Sequence, residues 1–308
     1  MKISVVSPVY MAENLIEELS SRLQASLCLI TEEYEIILVD DGSKDLSWLK
    51  IMDLAKSDKK IKGIKLSRNF GQHNAITCGL SATKGEWIIL IDCDLQDTPE
   101  EIPRLYSKAM EGYDIVFGQR ENRKDSFLKK QSSKLFYKVF SYMTDTKQDA
   151  SIANFGIYNK KVVESVLSMN EYFRYFPIMI QWVGFNSTKI KVKHSARFEG
   201  KSTYNFSKLL KLAFNNIISY SDKPLKLIVK FGLMISILSF LIGSWYFYKS
   251  LTGQIIVMGF SSIIITTSFF SGIIILTLGL VGIYTGKVFE ESKHRPNYLI
   301  DKKINMNE

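Results

Sequence analysis

Cysteine is scarce in this chain: its 308 residues include only Cys28, Cys78 and Cys93. Three scattered cysteines provide neither the paired spacing of a zinc site nor the framework of a disulfide-stabilised secreted protein. Their small number is typical of a reducing compartment. The first ten residues, MKISVVSPVY, contain one Lys and a short β-rich run that Pro8 interrupts. They lack the apolar core of a signal peptide.

Several widespread catalytic motifs are also absent. The sequence contains no GxGxxG, GxxxxGK[ST] or HExxH segment and no suitable Ser-His-Asp order. These absences disfavour a dinucleotide-binding protein, a P-loop enzyme, a zinc protease and a hydrolase. We interpret His73, His194 and His294 as surface or packing residues rather than ligands.

Charged residues are missing from two long stretches near the C-terminus. None occurs in 231–248 or in 250–286, and Lys249 is the only charge between them. Each stretch is long enough for a membrane-spanning helix, and a tight turn near KSLTGQ would join the two. A buried helical hairpin of a soluble protein is disfavoured by the length of the uncharged span. We therefore predict a transmembrane hairpin over 225–286.

The formal net charge of +9 is concentrated around this hairpin, because residues 201–308 contain 12 basic and 5 acidic side chains. Basic residues precede and follow the hairpin, whereas its turn contains only Lys249. By the positive-inside rule, we expect the domain before the hairpin and both termini to be cytoplasmic, on an inner or plasma membrane. Residues 287–308 would then form a cytoplasmic tail.

The segment before the hairpin, NFSKLLKLAFNNIISYSDKP, has apolar residues at helical spacing and mostly polar residues on its other face. This pattern fits equally well a helix packed on a soluble domain and a helix that lies in the membrane interface. Its position beside the membrane span favours the interface. We predict an amphipathic interfacial helix over 205–224.

The first two hundred residues alternate strand-like and helix-like stretches. The predicted strands are ISVVSPVY, YEIILVDDG, IKGIKLS, GEWIILIDCD and YDIVFGQR, and the predicted helices lie near residues 14–29, 47–56, 74–83 and 100–111. Such alternation indicates an α/β domain with a mostly parallel, doubly wound sheet over 1–204. Ligands bind such sheets at the carboxyl ends of the strands, where Asp40, Asp41, Asp92 and Asp94 would gather on one rim.

The segment IILIDCDLQDTPEE, residues 88–101, runs from a buried strand directly into two carboxylates. If the strand continues, Asp92 and Asp94 point the same way because side chains alternate along a strand. Two carboxylates this close favour a hard cation between them, and Mg²⁺ or Mn²⁺ with phosphate oxygens suits such ligands. The alternative is a turn and helix N-cap, which we accept for Asp97 or Thr98.

Four segments in this order, SPVYMAEN, VDDGSKD, LSRNFGQHNAITCGL and DCDLQDTPEE, resemble the family-2 glycosyltransferases with a GT-A fold. The chain is most similar to the polyprenyl-phosphate group, typified by dolichol-phosphate mannose synthase and by bacterial glucosyl transferases with a C-terminal membrane hairpin. The later segment RFEGKSTYNFSKLLKL also matches that group. The resemblance covers nearly the whole chain and depends on the combination of motifs.

The resemblance also implies roles for individual residues. The nucleobase and ribose would be held by Pro8, Tyr10, Glu13, Asp40 and Asp41. The nucleotide would lie beside Arg68 and Gly71. The metal-bound diphosphate would meet Asp92 and Asp94, and the sugar or acceptor would be approached by Gln96. Phosphate contacts would come from Arg120, Arg123, Arg197, Lys201 and Ser202, and the planar fork of an arginine suits phosphate oxygens. For Arg123 and Lys201, a solvated surface charge is an equal alternative.

One segment departs from the family pattern. Relatives commonly carry an acid and an Arg where this chain has Asn154 and Gly156, and Asp149 is the nearby acid that could substitute as the catalytic base. A lipid phosphate with a second pKa of about 6 is largely dianionic at neutral pH and needs no base, whereas a sugar hydroxyl does. The departure therefore favours a phosphate acceptor. The Gln-x-x-Arg-Trp segment of sugar-polymerising relatives is absent around Gln181 and Trp182.

These expectations define a metal-dependent, inverting hexosyltransferase. Its donor would be a nucleotide sugar, with UDP-hexose favoured over GDP-mannose, and its acceptor undecaprenyl or dolichyl phosphate. Membrane lipids are expected partners, nucleic acid is not, and a homo-oligomer is allowed. Two alternatives stay open: a membrane-anchored enzyme with a glycan or other hydroxyl acceptor, and a non-catalytic membrane partner.

Overall fold

The computed structural model describes residues 2–120, 140–143, 152–193, 214, 217–252 and 259–306. The chain divides into two compact units. The first, an α/β unit, comprises Met1–Ser141, Thr146–Asn205 and Arg295–Glu308. The second comprises Tyr142–Asp145 and Phe206–His294 and contains two long apolar helices.

The α/β unit follows the predicted alternation of strands and helices. Its first part contains β1 (Ile3–Val9), α1 (Ile16–Cys28), β2 (Tyr34–Asp40), α2 (Ser47–Ser57), β3 (Ile61–Leu66), α3 (Gln72–Ser81), β4 (Trp87–Leu90), α4 (Ile102–Ala109) and β5 (Ile115–Arg120). Its later part contains β6 (Ile152–Asn159), α5 (Lys160–Ser168), α6 (Phe176–Trp182), β7 (Ser187–Val192) and, near the C-terminus, β8 (Ile300–Ile304). The five predicted strands and four predicted helices are confirmed, with helix ends shifted by at most two residues.

The described strands form one sheet in the order β7-β5-β6-β4-β1-β2-β3-β8. The central strands β4, β1, β2 and β3 are parallel, and β5 and β7 are parallel to each other. Strand β6 is antiparallel to both of its neighbours, β4 and β5. This is the mostly parallel mixed sheet that the sequence predicts.

The central strands are buried because helices cover both faces of a parallel sheet. Every residue of β1 and β2 is buried. Helix α1 adds Ile16, Leu19, Leu23 and Leu27, which recur at helical spacing and are all 0% exposed. The near-continuous Val and Ile runs of these strands therefore have a physical cause, since neither face meets water.

A buried ionic cluster lies towards the amino ends of the parallel strands. Glu35 of β2 is fully buried, and its Oε1 accepts hydrogen bonds from Ser4 Oγ at 2.5 Å and from the backbone N–H of Lys84 at 2.7 Å. Its other oxygen accepts from the ammonium of Lys62 on β3. The carboxylate is thus compensated by one cation and two hydrogen-bond donors.

The C-terminal residues, within the predicted cytoplasmic tail over 287–308, add a strand to the sheet. Strand β8 pairs antiparallel with β3, and Ser67 donates its backbone N–H to the carbonyl of Leu299 at 2.9 Å. The Asn305 side chain donates to the carbonyl of Ile61 at 2.9 Å and also to that of Ala55. The edge of β3 would otherwise present unpaired backbone groups, so a covering strand satisfies them.

The second unit contains two helices that are long enough to cross a membrane, α7 (Lys223–Leu251) and α8 (Phe260–Ser292). They enclose the predicted hairpin 225–286, but α8 continues six residues beyond it. The Tyr284 hydroxyl donates to the carbonyl of Ser221 at 2.7 Å, which joins α8 to the chain before α7. Within the predicted interfacial helix, residues 217–220 are helical, and most of the remainder lies outside the described residues.

Candidate active site

The carboxyl ends of β1, β2 and β4 meet at one edge of the sheet, as the parallel register requires. Val9 pairs with Asp40, and Asp41 donates its backbone N–H to the carbonyl of Val9 at 2.9 Å. Ile91, just after β4, donates to the carbonyl of Val6 at 3.1 Å. The acidic residues that follow β2 and β4 therefore belong to one rim of the sheet.

The two carboxylates after β4 lie in a turn and not in the strand. Strand β4 ends at Leu90, and Asp94 Oδ1 accepts the backbone N–H of Gln96 at 3.2 Å, a short-range bond typical of an aspartate that organises a turn. Leu95 has a φ of 55°, a left-handed conformation. The argument from strand alternation is therefore wrong for Asp92 and Asp94, and their placement depends on the turn.

Asp92 is held from a neighbouring helix. The side-chain Nε2 of Gln72, the first residue of α3, donates to Asp92 Oδ1 over 2.8 Å. Tyr158 of β6 lies near the same carboxylate. The pKa of its hydroxyl is raised mainly by burial and, to a smaller extent, by the charge of Asp92. Neither contact was predicted from the sequence.

Asp41 holds the loop that leads into α3. Its two oxygens accept the backbone N–H groups of Phe70 and Gly71, at 2.7 and 2.9 Å. Burial raises the pKa of Asp41 to about 6, although these hydrogen bonds and the Arg68 guanidinium lower it. The described partners of this carboxylate are thus backbone groups, and its contact with a nucleotide stays a prediction.

Asp40 differs from its neighbour. It is fully buried, its Oδ1 accepts the backbone N–H of Ser43 at 3.1 Å, and its Oδ2 accepts no hydrogen bond within the described part of the chain. Burial is the main cause that raises the pKa of this carboxyl. A buried acceptor oxygen without a partner suits an N–H or O–H donor of a ligand.

The loop after β1 is fastened to the loop after β2. Glu13 Oε2 accepts the backbone N–H of Leu46 at 2.7 Å, and Ala12 donates its N–H to Ser47 Oγ at 3.0 Å. Tyr10, directly after β1, is 49% exposed and available for stacking. Pro8 lies inside β1 and is buried. Glu13 therefore has a structural partner in addition to its predicted contact with nucleotide.

The backbones of Arg68 and Gly42 approach each other closely beside these loops. The guanidinium of Arg68 stacks over the ring of Phe70, 4.3 Å from its centroid. Gly42 has a φ of 67°, and a Cβ there would lie 2.5 Å from the Arg68 carbonyl carbon. Only glycine permits this approach of the two backbones.

In the segment that departs from the family pattern, packing explains why residue 156 is a glycine and not an arginine. A Cβ at Gly156 would lie 2.8 Å from the Tyr158 hydroxyl and 2.9 Å from the carbonyl oxygen of Val116. An arginine here would displace both groups. Asn154 accepts a hydrogen bond from the Tyr158 hydroxyl through its backbone carbonyl, at 3.5 Å.

The remaining predicted site residues are not placed by the structure. Arg120 is the last residue of β5, and its side chain is not described. The others lie outside the described residues: Arg123, Asp149, Arg197, Lys201 and Ser202. Their roles stay predictions.

Two further residues near the site have packing or structural roles. His73 is partly buried and packs edge-to-face against Tyr175 with 4.6 Å between ring centroids, and desolvation lowers its pKa to about 4, so it is neutral at pH 7. Thr98 precedes Pro99 at the N-cap position, but its hydroxyl donates to the carbonyl of Lys193 at 3.3 Å instead of capping the helix.

The described residues contain no group of three or more His, Cys, Asp or Glu side chains that could hold a metal ion by themselves. The Asp92–Asp94 turn nevertheless fits Mg²⁺ or Mn²⁺, because its donors are hard carboxylate oxygens. Mg²⁺ in nucleotide sites is commonly bound by one or two carboxylates, with phosphate oxygens and water completing its shell. The assignment of Asp92 and Asp94 to a metal with a phosphorylated ligand stays a prediction.

Residues 4–188 match the family model described as Glycosyl transferase family 2. The chain belongs to this family. The family match runs from β1 to the start of β7 and includes every described residue of the rim. Family membership accounts for the acidic turn after β4 and for the mixed sheet of a GT-A fold.

Two curated relatives match along their whole length. The undecaprenyl-phosphate 4-deoxy-4-formamido-L-arabinose transferase of Klebsiella pneumoniae subsp. pneumoniae is 33% identical over 306 residues, which are 98% of this chain and 94% of that one. The bactoprenol glucosyl transferase of Shigella phage SfV is 34% identical over 301 residues, 97% of this chain and 98% of that one. The similarity therefore extends through both apolar helices.

A solved structure shows the same fold. Glucosyl-3-phosphoglycerate synthase from Mycobacterium tuberculosis, in complex with Mn²⁺, UDP and glucosyl-3-phosphoglycerate, superposes with a TM-score of 0.52 at 15% identity, over 71% of this chain and 78% of that one. Another structure of that enzyme contains Mg²⁺ and UDP. The likeness confirms the GT-A fold of the family-2 domain.

Proposed function

We propose that this family-2 protein is an inverting glycosyltransferase that moves a hexose from a nucleotide sugar to a polyprenyl phosphate at the membrane surface. The observation that carries the proposal is the similarity, over 97% of the chain or more, to transferases named for undecaprenyl phosphate and bactoprenol. That similarity includes the two apolar helices, so it reaches beyond the catalytic fold.

The donor we propose is a UDP-hexose in preference to GDP-mannose. A relative that is 34% identical along nearly its whole length is named as a glucosyl transferase. On this chain, the unpartnered buried oxygen of Asp40 and the half-exposed ring of Tyr10 would bind the nucleobase and ribose. Stacking and a hydrogen bond to a buried acceptor together bind an aromatic base that carries N–H groups.

Asp92 and Asp94 would hold Mg²⁺ or Mn²⁺ with the donor diphosphate, and the ion would supply Lewis-acid stabilisation of the departing nucleoside diphosphate. Gln96 fixes the Asp94 carboxylate through its backbone N–H, at 3.2 Å. The stacked Arg68 guanidinium adds positive charge beside the nucleotide.

The proposed reaction is one in-line displacement. A lipid phosphate oxygen forms a bond to the anomeric carbon while the bond from that carbon to the diphosphate oxygen breaks, and the electron pair leaves with the nucleoside diphosphate. A phosphate dianion carries no proton to remove, so no base is required. Holding the two reactants in line can supply several kcal/mol of rate enhancement. We assign that task to Arg197, with Arg120, Arg123, Lys201 and Ser202 as further phosphate contacts.

The proposed topology has two membrane spans with the catalytic domain and both termini in the cytoplasm. Basic residues flank the helices, which favours a cytoplasmic location of their ends. Strand β8 follows the second apolar helix and pairs with β3 of the catalytic sheet. Two strands of one sheet must lie on the same side of a membrane, so the number of spans between them is even.

The test uses purified full-length protein in detergent with undecaprenyl phosphate, Mn²⁺ or Mg²⁺, and a panel of UDP-hexoses and GDP-mannose. We expect one UDP-hexose to give a lipid-linked monosaccharide phosphate with inverted anomeric configuration, and EDTA to abolish its formation. The proposal would be contradicted if no product formed with polyprenyl phosphate while transfer occurred to a glycan or other hydroxyl acceptor. Unchanged product formation in EDTA would also contradict it.

A further inference from the structure

The contact between Gln72 and Asp92 joins two elements that are adjacent on the rim but distant in sequence. Gln72 is the first residue of α3, and Asp92 is in the turn after β4. The 2.8 Å bond runs from the amide Nε2 to carboxylate Oδ1. A carboxylate only accepts hydrogen bonds, so the amide nitrogen must face it. Both side chains are partly buried, which limits competition from water.

The start of α3 is itself fixed. The two oxygens of Asp41 accept the N–H groups of Phe70 and Gly71 just before the helix begins. Gly71, with a φ of 93°, is the residue at which the chain turns into α3. The position of the Gln72 amide therefore depends on a backbone that a buried carboxylate holds in place.

We propose that Gln72 is a positioning residue that sets the orientation of the Asp92 carboxylate for a divalent cation. The inference rests on the proposed metal-dependent function of the rim. A carboxylate rotates easily about its last torsion, and one amide bond to Oδ1 fixes the direction in which its remaining lone pairs point. Outer partners of this kind commonly change metal affinity or activity 10-fold to 100-fold when they are removed.

The test is the Mn²⁺ dependence of UDP binding, measured by calorimetry on the full-length protein in detergent. Gln72→Met keeps the length of the side chain and its high helix propensity, but it removes the hydrogen-bond donor. We expect the Mn²⁺ concentration for half-maximal UDP binding to rise about 10-fold or more. The transfer rate should recover at saturating Mn²⁺, because Gln72 acts through the metal ligand and does not touch substrate.

A matched control exists on the same domain. Gln24 on α1 donates its Nε2 to Asp58 Oδ2 at 2.7 Å, in a partly buried bond of the same chemistry. Asp58 follows the C-terminal end of α2 and takes no part in the rim. Gln24→Met should leave the Mn²⁺ dependence within about 2-fold of wild type. The Gln72→Asn variant, whose amide is one methylene too short, should behave like Gln72→Met.

Three outcomes would overturn the inference. Unchanged Mn²⁺ dependence in folded Gln72→Met and Gln72→Asn would overturn it alone and leave the proposed function standing. An equal shift in Gln24→Met would show that the effect is a general loss of packing. UDP binding by the wild-type protein that does not respond to Mn²⁺ at all would overturn the metal site and this inference together.

Discussion

The hydroxyl groups of Tyr298 and Ser81 lie 3.1 Å apart, although 217 residues separate them in the chain. Ser81 ends α3, and Tyr298 lies just after the second apolar helix. Together with β8, this contact fastens the chain after that helix to the catalytic sheet. Thr146–Asn205, before the two apolar helices, and Arg295–Glu308, after them, thus belong to the same α/β unit.

We predict that the C-terminus and the turn between the apolar helices lie on opposite sides of the membrane. In a Cys28→Ser background, which removes the exposed native thiol, single cysteines replace Gly253, between the two apolar helices in sequence, and Glu308. A membrane-impermeant maleimide added to intact cells should label the turn and not the C-terminus. In inside-out vesicles the order should reverse. Labelling of position 308 in intact cells would contradict a cytoplasmic C-terminus.

The buried ionic cluster gives a prediction about stability. Glu35→Gln keeps the shape of the side chain but leaves the ammonium of Lys62, which is 12% exposed, without its anion. Breaking a buried pair in this way costs about 3–5 kcal/mol in the free energy of unfolding. Denaturant or thermal unfolding of the detergent-solubilised protein measures the change.

The control for this prediction is an exposed ion pair in the same α/β unit. Glu32 lies 3.0 Å from the ammonium of Lys60, and their side chains are 77% and 37% exposed. Glu32→Gln should cost at most about 1 kcal/mol, because solvent screens such pairs. Equal losses for Glu32→Gln and Glu35→Gln would contradict the special role of the buried cluster.

The sequence predicted the parallel part of the sheet because fully buried strands read as continuous Val and Ile runs between turn residues. Strand β8 could not be predicted in the same way. Three of the five residues in its sequence, IDKKI, are charged, and it becomes a strand only because the edge of β3, more than 230 positions earlier, offers unpaired backbone groups. Such long-range pairing is not visible in local periodicity.

The acidic rim shows the same limit. The sequence indicated the right carboxylates, Asp92 and Asp94, but for a wrong geometric reason, since the strand ends at Leu90. The partner of Asp92, Gln72, is 20 positions away, and no motif connects the two. Asp41 was predicted to hold nucleotide, whereas its described hydrogen bonds go to the loop before α3.

Asp41 predicts a pH dependence of donor binding. Burial raises the pKa of this carboxyl from its ordinary value of 3.8 to about 6, so the folded protein binds this proton more tightly than the unfolded chain. Its contribution to stability is therefore greatest below about pH 4 and declines as the pH rises through 6. Donor binding changes with pH in the opposite direction. Below pH 6 the protonated carboxyl can no longer accept both N–H groups, and the loop before α3 loosens.

We expect UDP-glucose binding in the presence of Mn²⁺ to weaken about 10-fold between pH 7.5 and pH 5, the cost of one charge-assisted hydrogen bond. UDP-glucose suits this measurement because its diphosphate does not titrate in that range. Asp41→Asn should bind more weakly at pH 7.5 and lose most of the pH dependence. The same pH profile in Asp41→Asn would assign the titration to another group.

The acceptor is tested by two variants in the segments that the sequence alone assigns. If a phosphate dianion is the nucleophile, Asp149→Asn should cost little and Arg197→Ala should be the damaging change, because it removes a charge-assisted contact to the acceptor. If a neutral hydroxyl is the nucleophile, Asp149→Asn should cost about 100-fold or more in rate. Turnover at saturating donor, with folding checked for each variant, distinguishes the two. If turnover fell strongly in Asp149→Asn and only slightly in Arg197→Ala, the acceptor would be a hydroxyl and not a phosphate.

The most direct test of the metal-dependent transferase is the rate of sugar transfer to polyprenyl phosphate by Asp94→Asn, measured at saturating Mn²⁺ or Mg²⁺ against wild type. The amide retains an oxygen that can accept the N–H of Gln96, so the turn should still form, but the charge that holds the metal is lost. We predict that transfer falls at least about 100-fold while thermal stability stays near that of wild type. Transfer within about tenfold of wild type would contradict the assignment of Asp92 and Asp94 as the metal site.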